Sequence, residues 1–503
     1  MTARGIGSAL ALTSACWIGL LALAAAQAPT AHVHHAPAQS RMLVSPLELT
    51  AADLESGEAA FRSACVRCHG ADGTGGPAPS AGRPAPANLT NPEYRAHADG
   101  ELYWVVTEGI PESGMPGFTQ TLDERTRWQL VAYVRKLGGV RLTLAAPVSG
   151  DGYIWDLPPG LPRPKVPADN PMSEAKVQLG RHLFYDTRLS SDGTFACANC
   201  HQQSRAFADD KPRGVGVTGE VHPRGSMSLG NIAYSPVLTW ANPTQRRLET
   251  QALVPMFGEE PVELGLSGQE TALLARLRAE PRYAPLFSAA FPNQTDPFTL
   301  ESITKAIAAF ERTLLTGRSP YDRFRLGQDY GAIPALAQRG EELFFSERTE
   351  CFHCHGGFNF TETADYVGKG FVEVEFHNTG LYNIDGRGSY PAPNTGVMAI
   401  TEDEEDMGKF KAPSLRNVAV TAPYMHDGSI PTLAEVIEHY AAGGRTVADG
   451  PNRGVGAESP RRSSFVKPID LTPDEKRALV AFLESLTDEA FLTDPRFSNP
   501  WPR

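Results

Sequence analysis

Gly340-Glu-Glu-Leu-Phe-Phe345, followed by Ser346-Glu-Arg-Thr-Glu-Cys351-Phe-His-Cys354-His355, describes a short apolar helix running into a loop that carries two cysteines and a histidine. The same order occurs twice more in the chain. Gly180-Arg-His-Leu-Phe-Tyr185 precedes Cys197-Ala-Asn-Cys200-His201, and a weaker version, Gly57-Glu-Ala-Ala-Phe-Arg62, precedes Cys65-Val-Arg-Cys68-His69. A unit that recurs in this way marks a chain assembled from copies of one supersecondary element. Each copy reads as a helix feeding a haem-attachment loop. Two thiols add across the haem vinyl groups, and the adjacent histidine reaches the iron as proximal ligand. A single match also fits half of a zinc site. Three matches that use six of the seven cysteines do not, and they imply three covalently bound haem c groups.

The rest of the 503 residues arranges itself around these copies. Residues 1–26 have the pattern of a secretory signal: Arg4, an apolar run from Ala9 to Ala26, and small residues at Ala24-Ala25-Ala26 for cleavage. Cys16, the seventh cysteine, falls inside it, so the mature chain keeps no thiol for a structural disulfide. Outside the signal no stretch is long and apolar enough to cross a bilayer, and a secreted haem protein of this kind is expected in a Gram-negative periplasm. Residues 27–46 read as a disordered tail, its stretch Gln27–Gln39 rich in Ala and Pro, with His32, His34 and His35 as an alternative copper or zinc cluster. Residues 47–145 read as a small helical domain, with helices expected over Ala51–Arg62 and Leu122–Leu137. Residues 146–170 read as a Gly- and Pro-rich linker, and residues 171–335 and 336–503 as two further cytochrome-like domains. Runs of high strand propensity are scarce, so the fold class is mainly α. Aspartate and glutamate number 58 against 46 lysines and arginines, a net charge of -12 that opposes binding to nucleic acid.

The sixth iron ligand decides what each haem does: a strong protein ligand suits electron transfer, and an open position permits peroxide chemistry. For the first haem, Gly109-Ile-Pro-Glu-Ser-Gly-Met115-Pro-Gly-Phe118 offers Met115 on a loop before the last helix. This loop resembles that of class I cytochrome c, which implies a His69/Met115 electron carrier.

Residues 171–503 resemble the MauG and bacterial di-haem cytochrome c peroxidase superfamily. The resemblance rests on Phe410-Lys-Ala-Pro413-Ser-Leu-Arg416-Asn-Val-Ala-Val-Thr-Ala-Pro423-Tyr-Met-His426-Asp-Gly428, on Thr432-Leu-Ala-Glu-Val-Ile-Glu-His-Tyr440, on Gln251-Ala-Leu-Val-Pro255 and on Pro261-Val-Glu263. It implies a fold in which the last two cytochrome-like units form one di-haem core. In that superfamily the helix after His426-Asp-Gly428 supplies the sixth ligand of the second haem, methionine in peroxidases and tyrosine in MauG-like enzymes. Tyr440 therefore stands as the ligand opposite His355, with Met425 and His439 as the other candidates nearby. A phenolate is a harder donor than a thioether and favours storing oxidising equivalents. The resemblance implies that the haem at His201 is the peroxide site, with Gln251, Pro255 and Glu263 in its distal pocket. Glu263 would take a proton from peroxide and return it to the leaving oxygen. His222 is a further candidate ligand there, or a surface loop residue. Trp240 matches the family's inter-haem tryptophan within a residue or so, and equally fits a core position. A calcium ion between the haems is also implied, with Asn231, Lys411 and Pro413 as the loosely matching positions.

The peroxidase-type Trp-Asp-Gly-Arg segment is missing. Leu238-Thr-Trp240-Ala-Asn-Pro243, Phe257-Gly-Glu-Glu-Pro-Val-Glu263-Leu and Phe497-Ser-Asn-Pro-Trp501-Pro look instead like the MbnH branch, whose members oxidise tryptophan on a partner protein. The expected function is thus peroxide-driven oxidation of a protein partner, with hydrogen peroxide as co-substrate and an external cytochrome or cupredoxin as redox partner. Two rivals stand beside it. One is a cytochrome c peroxidase with a fused donor domain. The other is a non-enzymatic electron conduit.

Overall fold

The structure, a computed structural model, describes residues 36–501 except 48, 77–84, 92–96, 141, 143, 145–152, 326–328 and 330. The expected signal and the His32, His34 and His35 cluster lie outside these residues.

Each of the three copies is a crossed pair of helices. The leading helices are Ala51–Ala64, Glu174–Phe184 and Ala335–Phe344, and the closing helices are Glu124–Leu137, Leu300–Arg312 and Pro473–Glu484. Thr50, Ser173, Thr299, Asp123 and Thr472 cap helix starts with a side-chain oxygen, satisfying backbone N–H groups that have no partner inside the helix. The repeated glycine marks the crossing point. A Cβ on Gly57, Gly180 or Gly340 would collide with the carbonyl oxygen of Gln129, Ala306 or Ala478 of the closing helix. Four residues further along each helix, one turn on, an aromatic pair locks the crossing: Phe61 with Tyr133, Phe184 with Phe310 and Phe344 with Phe482, at ring-centroid distances of 5.4, 5.3 and 5.0 Å. The glycine and the aromatic read from the sequence repeat are therefore the two halves of one packing device. Strands are few, as expected. Among the described residues the only named ones are the antiparallel pairs Gly109–Ile110 with Met115–Pro116 and Thr446–Val447 with Gly454–Val455.

Several expected boundaries shift. Residues 36–46 are not a free tail. Ala38–Met42 forms a short helical turn, Ser40 is buried, and Arg41 pairs with Glu101 at 3.0 Å. Residues 153–170 have little regular structure, but they are packed down: Leu161 is buried, and the fully buried Asn170 donates to Glu249 at 2.8 Å. The last two units also interleave. Tyr321 belongs to the core of the His355 unit, whereas Phe491, Leu492 and Phe497 return to the core of the His201 unit.

The segment after Phe410 ties these units together. Arg416 is paired with Asp322 at 2.9 Å and donates to Phe358 O, all of it buried. Asn417 donates to Thr316 and accepts from Asp488 N, while Asp488 accepts from Thr316 Oγ1, Gly317 N and Arg318 N. A buried polar network satisfied in this way fixes one arrangement of the two units.

Gly180→Ala forces a methyl into the helix crossing and should destabilise the fold by about 1–3 kcal/mol, seen as a lower denaturant midpoint. A loss below about 0.5 kcal/mol, the level of an ordinary surface change, would refute the close contact.

Candidate active site

In each copy the leading helix delivers its cysteine loop to the same position, and the histidine that follows is held by its ring Nδ1. His201 Nδ1 meets Phe207 O at 2.7 Å, His355 Nδ1 meets Phe360 O at 3.2 Å, and His69 Nδ1 meets Ala87 O at 3.0 Å. A carbonyl can only accept, so Nδ1 carries the proton and Nε2 keeps its lone pair for a metal. Phe207 and Phe360 both have left-handed backbones, φ 63° and 50°. Such strain persists only where the surroundings impose it, and here it aims the two carbonyls at the histidines. Among the described residues, the six motif cysteines form no disulfide. Burial raises the thiols of Cys65, Cys200 and Cys351 to about 11.

Two cavities open beside the second and third motifs, and both fit a haem: each has two cysteine thiols and a histidine anchored through Nδ1 on its wall, and a largely apolar lining. The larger, about 260 Å³, is lined by Cys351, Cys354, His355, Met425 and Tyr440. Tyr440 is on the helix Leu433–Ala441, whose start is fixed by a reciprocal Thr432–Glu435 cap. Burial, reinforced by Cys354 and Cys351, pushes its hydroxyl well above the usual tyrosine range. Of the three candidate ligands, Tyr440 and Met425 line this cavity. His439 does not; it is buried against Tyr440, ring centroids 5.0 Å apart. His377 also lines the cavity, its Nε2 2.5 Å from Glu362 Oε1, a pair that sequence reading did not single out.

The second cavity, about 230 Å³, brings Cys197, Cys200 and His201 together with Gln251, Pro255 and Glu263, as expected from residues far apart in the chain. Gln251 ends one short helix, Leu248–Gln251, and Pro255 is on the next, Leu253–Phe257. The backbone of Glu263 is clamped by Val217 N donating to its carbonyl at 2.7 Å. Burial raises its carboxyl to about 7. His222 lines the same cavity, Nε2 3.5 Å from Glu263 Oε1, so it is a pocket residue rather than a surface one. Trp240 lines both cavities and donates from Nε1 to Gly225 O at 2.9 Å.

Glu311 was missed. It lines the second cavity, is 6% exposed, and its Oε2 has no hydrogen-bond partner. Its neighbour Arg312 is taken by Glu249 at 2.8 Å. Burial raises Glu311 to about 8. The signal was available: Ile303, Ile307 and Glu311 follow one another at helical spacing, an acid in an apolar stripe.

The remaining expected residues fall as follows. Asn231, Lys411 and Pro413 all line the larger cavity. Asn231 is held by protein partners, accepting from Thr316 N at 2.9 Å and donating to Thr316 O and Asn359 Oδ1. The Lys411 ammonium donates to Val237 O at 2.8 Å. A calcium ion taking the Asn231 side-chain oxygen with the backbone carbonyls of Lys411 and Pro413 would compete with Thr316 N for that oxygen. Met115 is on the second strand of a tight hairpin, after Gly114 in the left-handed region, φ 83°.

These features define a c-type cytochrome with a di-haem core. The family model for di-haem cytochrome c peroxidase matches residues 174–330, that for cytochrome C oxidase, cbb3-type, subunit III matches residues 52–134, and a RoxA-like, cytochrome c-like model matches residues 409–441. The methylamine utilization protein MauG of Methylorubrum extorquens is 35% identical over 342 residues, 67% of this chain and 85% of that protein. A cytochrome-c peroxidase of Denitromonas iodatirespirans is 35% identical over 376 residues, 70% of this chain and 93% of that one. A solved MauG-like protein associated with microbial copper homeostasis is 48% identical, with a TM-score of 0.68, and matches 70% of this chain and 100% of its own. The chain belongs to the MauG and di-haem cytochrome c peroxidase family, and is a haem-dependent enzyme with covalently bound haem c. The conduit reading falls with that assignment. Among the described residues no helix is long and apolar enough to cross a membrane.

Glu311 is predicted to tie stability to pH. Its value rises from 4.5 in the unfolded chain to about 8 in the fold, so between these limits the folded state binds more protons. Its contribution is therefore complete below pH 4.5 and lost as pH rises through about 8. Glu311→Gln, which mimics the protonated form, should flatten the fall in urea midpoint between pH 5 and pH 8.5. An unchanged slope would contradict the burial argument.

Proposed function

We propose that this chain is a periplasmic, three-haem enzyme that uses hydrogen peroxide to oxidise a tryptophan or tyrosine of a protein partner by long-range electron transfer. The observation that carries the reading is Tyr440 in the cavity of Cys351, Cys354 and His355, where a peroxidase of this family would offer methionine. The 48% identity to a MauG-like protein associated with copper homeostasis supports it. The signal pattern of residues 1–26 supports export, and the three cysteine motifs support three haems.

Haem at the His201 site supplies the redox centre that reacts with hydrogen peroxide. Around it, Glu263 holds and moves the proton. At about pH 7 its carboxyl is poised between its two forms, able to accept from the near oxygen of peroxide and donate to the leaving one. Gln251 and Pro255 line the pocket beside Glu263, and His222, its Nε2 3.5 Å from Glu263 Oε1, exchanges a proton with it through one bridging water. Trp240, in the wall shared by both cavities, is the residue for passing an electron between them. Cys351, Cys354, His355 and Tyr440 would hold the second haem, and the phenol oxygen of Tyr440, a harder donor than a thioether, would favour its oxidised form, with a docked protein as the reductant. His69 and Met115 make the first unit an electron carrier that exchanges with an external cytochrome or cupredoxin. A calcium ion at Asn231, Lys411 and Pro413 remains part of the proposal.

The second reading, a cytochrome c peroxidase with a built-in donor, is favoured by the fused first unit and by the 35% identity to a cytochrome-c peroxidase. Two variants separate them. Tyr440→Met should abolish the persistent oxidised state seen spectroscopically after peroxide is added without donor, and should raise turnover with a reduced small cytochrome. If the native protein already turns over peroxide with such a donor as fast as Tyr440→Met, the peroxidase reading replaces this one. For Glu263 the charged form is the base, so kcat/KM for peroxide should rise as pH climbs through about 7. Glu263→Gln should remove that limb and lower kcat/KM roughly 100-fold or more. A variant with native kcat/KM would clear Glu263 of the role.

A further inference from the structure

The first cytochrome unit does not merely hang from its linker. Its N-terminal arm, residues 38–47, is wedged between its own helix Asp99–Glu108 and the attachment loop of the third motif. On one side the arm is pressed to the helix: a Cβ on Gly100 would collide with the carbonyl oxygens of Ser40 and Leu43, so only glycine allows this approach. On the other side the arm meets the His355 unit. Arg41 stacks its guanidinium over the ring of Phe352, 4.8 Å from the centroid, and Phe352 lies between Cys351 and Cys354. The same guanidinium is paired with Glu101, whose side chain is 3% exposed. Met42 packs against the core that includes Phe352 and Tyr321, and Tyr321 Oη is 3.1 Å from its Sδ. Val44 packs into a cluster with Phe358 and Tyr366.

An arginine can serve both faces at once, because its planar group stacks through its π-face and pairs through its edge. Glu101 is itself fixed, its Oε2 accepting from Ala98 N at 2.6 Å, so its Oε1 accepts from Arg41 Nε at one place and holds the guanidinium in one orientation.

We propose that residues 38–47 are a docking strap, keyed by Arg41, that seats the first cytochrome unit on the Cys351–Cys354 loop and makes the His355 site, not the His201 cavity, its redox partner within the chain. This rests on the reading that both units carry haem. One electron leaves the first site as the other gains it, and no further reactant is needed. A flexible tether alone would hold the two units at an effective concentration on the order of millimolar in any orientation. The strap selects one orientation.

The test uses the full-length holoprotein and two readouts. Hydrogen exchange of residues 38–47 and 350–354 reports the docking whatever the haem content. Pulsed reduction of the first haem, followed optically, reports how fast the electron reaches the His355 site. Arg41→Ala should speed exchange in both segments at least tenfold and slow the transfer at least tenfold. Arg41→Lys, which keeps the charge and loses the flat face, should fall between. Met42→Ala is a second route to the same loosening. Arg278→Ala, which breaks an exposed pair with Asp296 on the His201 unit, should change neither readout. Unchanged exchange in Arg41→Ala and Met42→Ala overturns the strap. Faster exchange with unchanged transfer overturns the routing and leaves the docking. A haem count below three would instead refute the three-haem reading, while the exchange result would still judge the strap.

Discussion

Everything in this molecule depends on two helix backbones touching at a glycine. At Gly57, Gly180 and Gly340 the leading helix comes so close to the closing helix that a methyl group cannot fit, and an aromatic pair one turn away fixes the angle. Close contact at a point leaves little freedom in how two helices cross. The loop that follows each leading helix is thereby delivered to one place, with its histidine anchored through Nδ1 to a backbone carbonyl. The crossing is the scaffold, and the cysteine motif is the fitting mounted on it.

With the scaffold held constant, chemistry is assigned by what the connecting segments bring to the far wall. In the His201 unit these are Gln251, Pro255 and the half-buried Glu263, joined there by the buried Glu311 of the closing helix. In the His355 unit they are Tyr440, Met425 and His377. Similar units therefore present a proton-handling pocket and a phenol-bearing pocket, with Trp240 in the wall between them. The polar network around Arg416, Asn417 and Asp488 keeps these walls in register.

Much of this was legible before any coordinates. The attachment motifs, the three-fold repeat and the mainly helical class could be read because spacing and residue chemistry carry them, whereas the grouping of Gln251, Pro255 and Glu263 was implied only by the family resemblance. What escaped reading depends on long-range packing. Most of the arm at 38–47 was read as the end of a disordered tail because it follows the Ala- and Pro-rich stretch 27–39, and nothing local points to a distant Phe352 to rest on. Glu311 escaped because attention went to motifs, although its place in an apolar stripe was visible. Trp240 could be aligned only to within a residue, and its position between two cavities is a property of the folded chain alone.

The return of Phe491, Leu492 and Phe497 to the His201 unit has a temporal meaning. A polypeptide emerges from its N-terminus onward, so Cys197 and Cys200 appear nearly three hundred residues ahead of the segment that closes the core around them. Until that segment arrives the unit stands ajar, with its thiols within reach of whatever machinery must act on them. Any step that needs those thiols uncovered would have that interval, and the last stretch of the chain then completes the core.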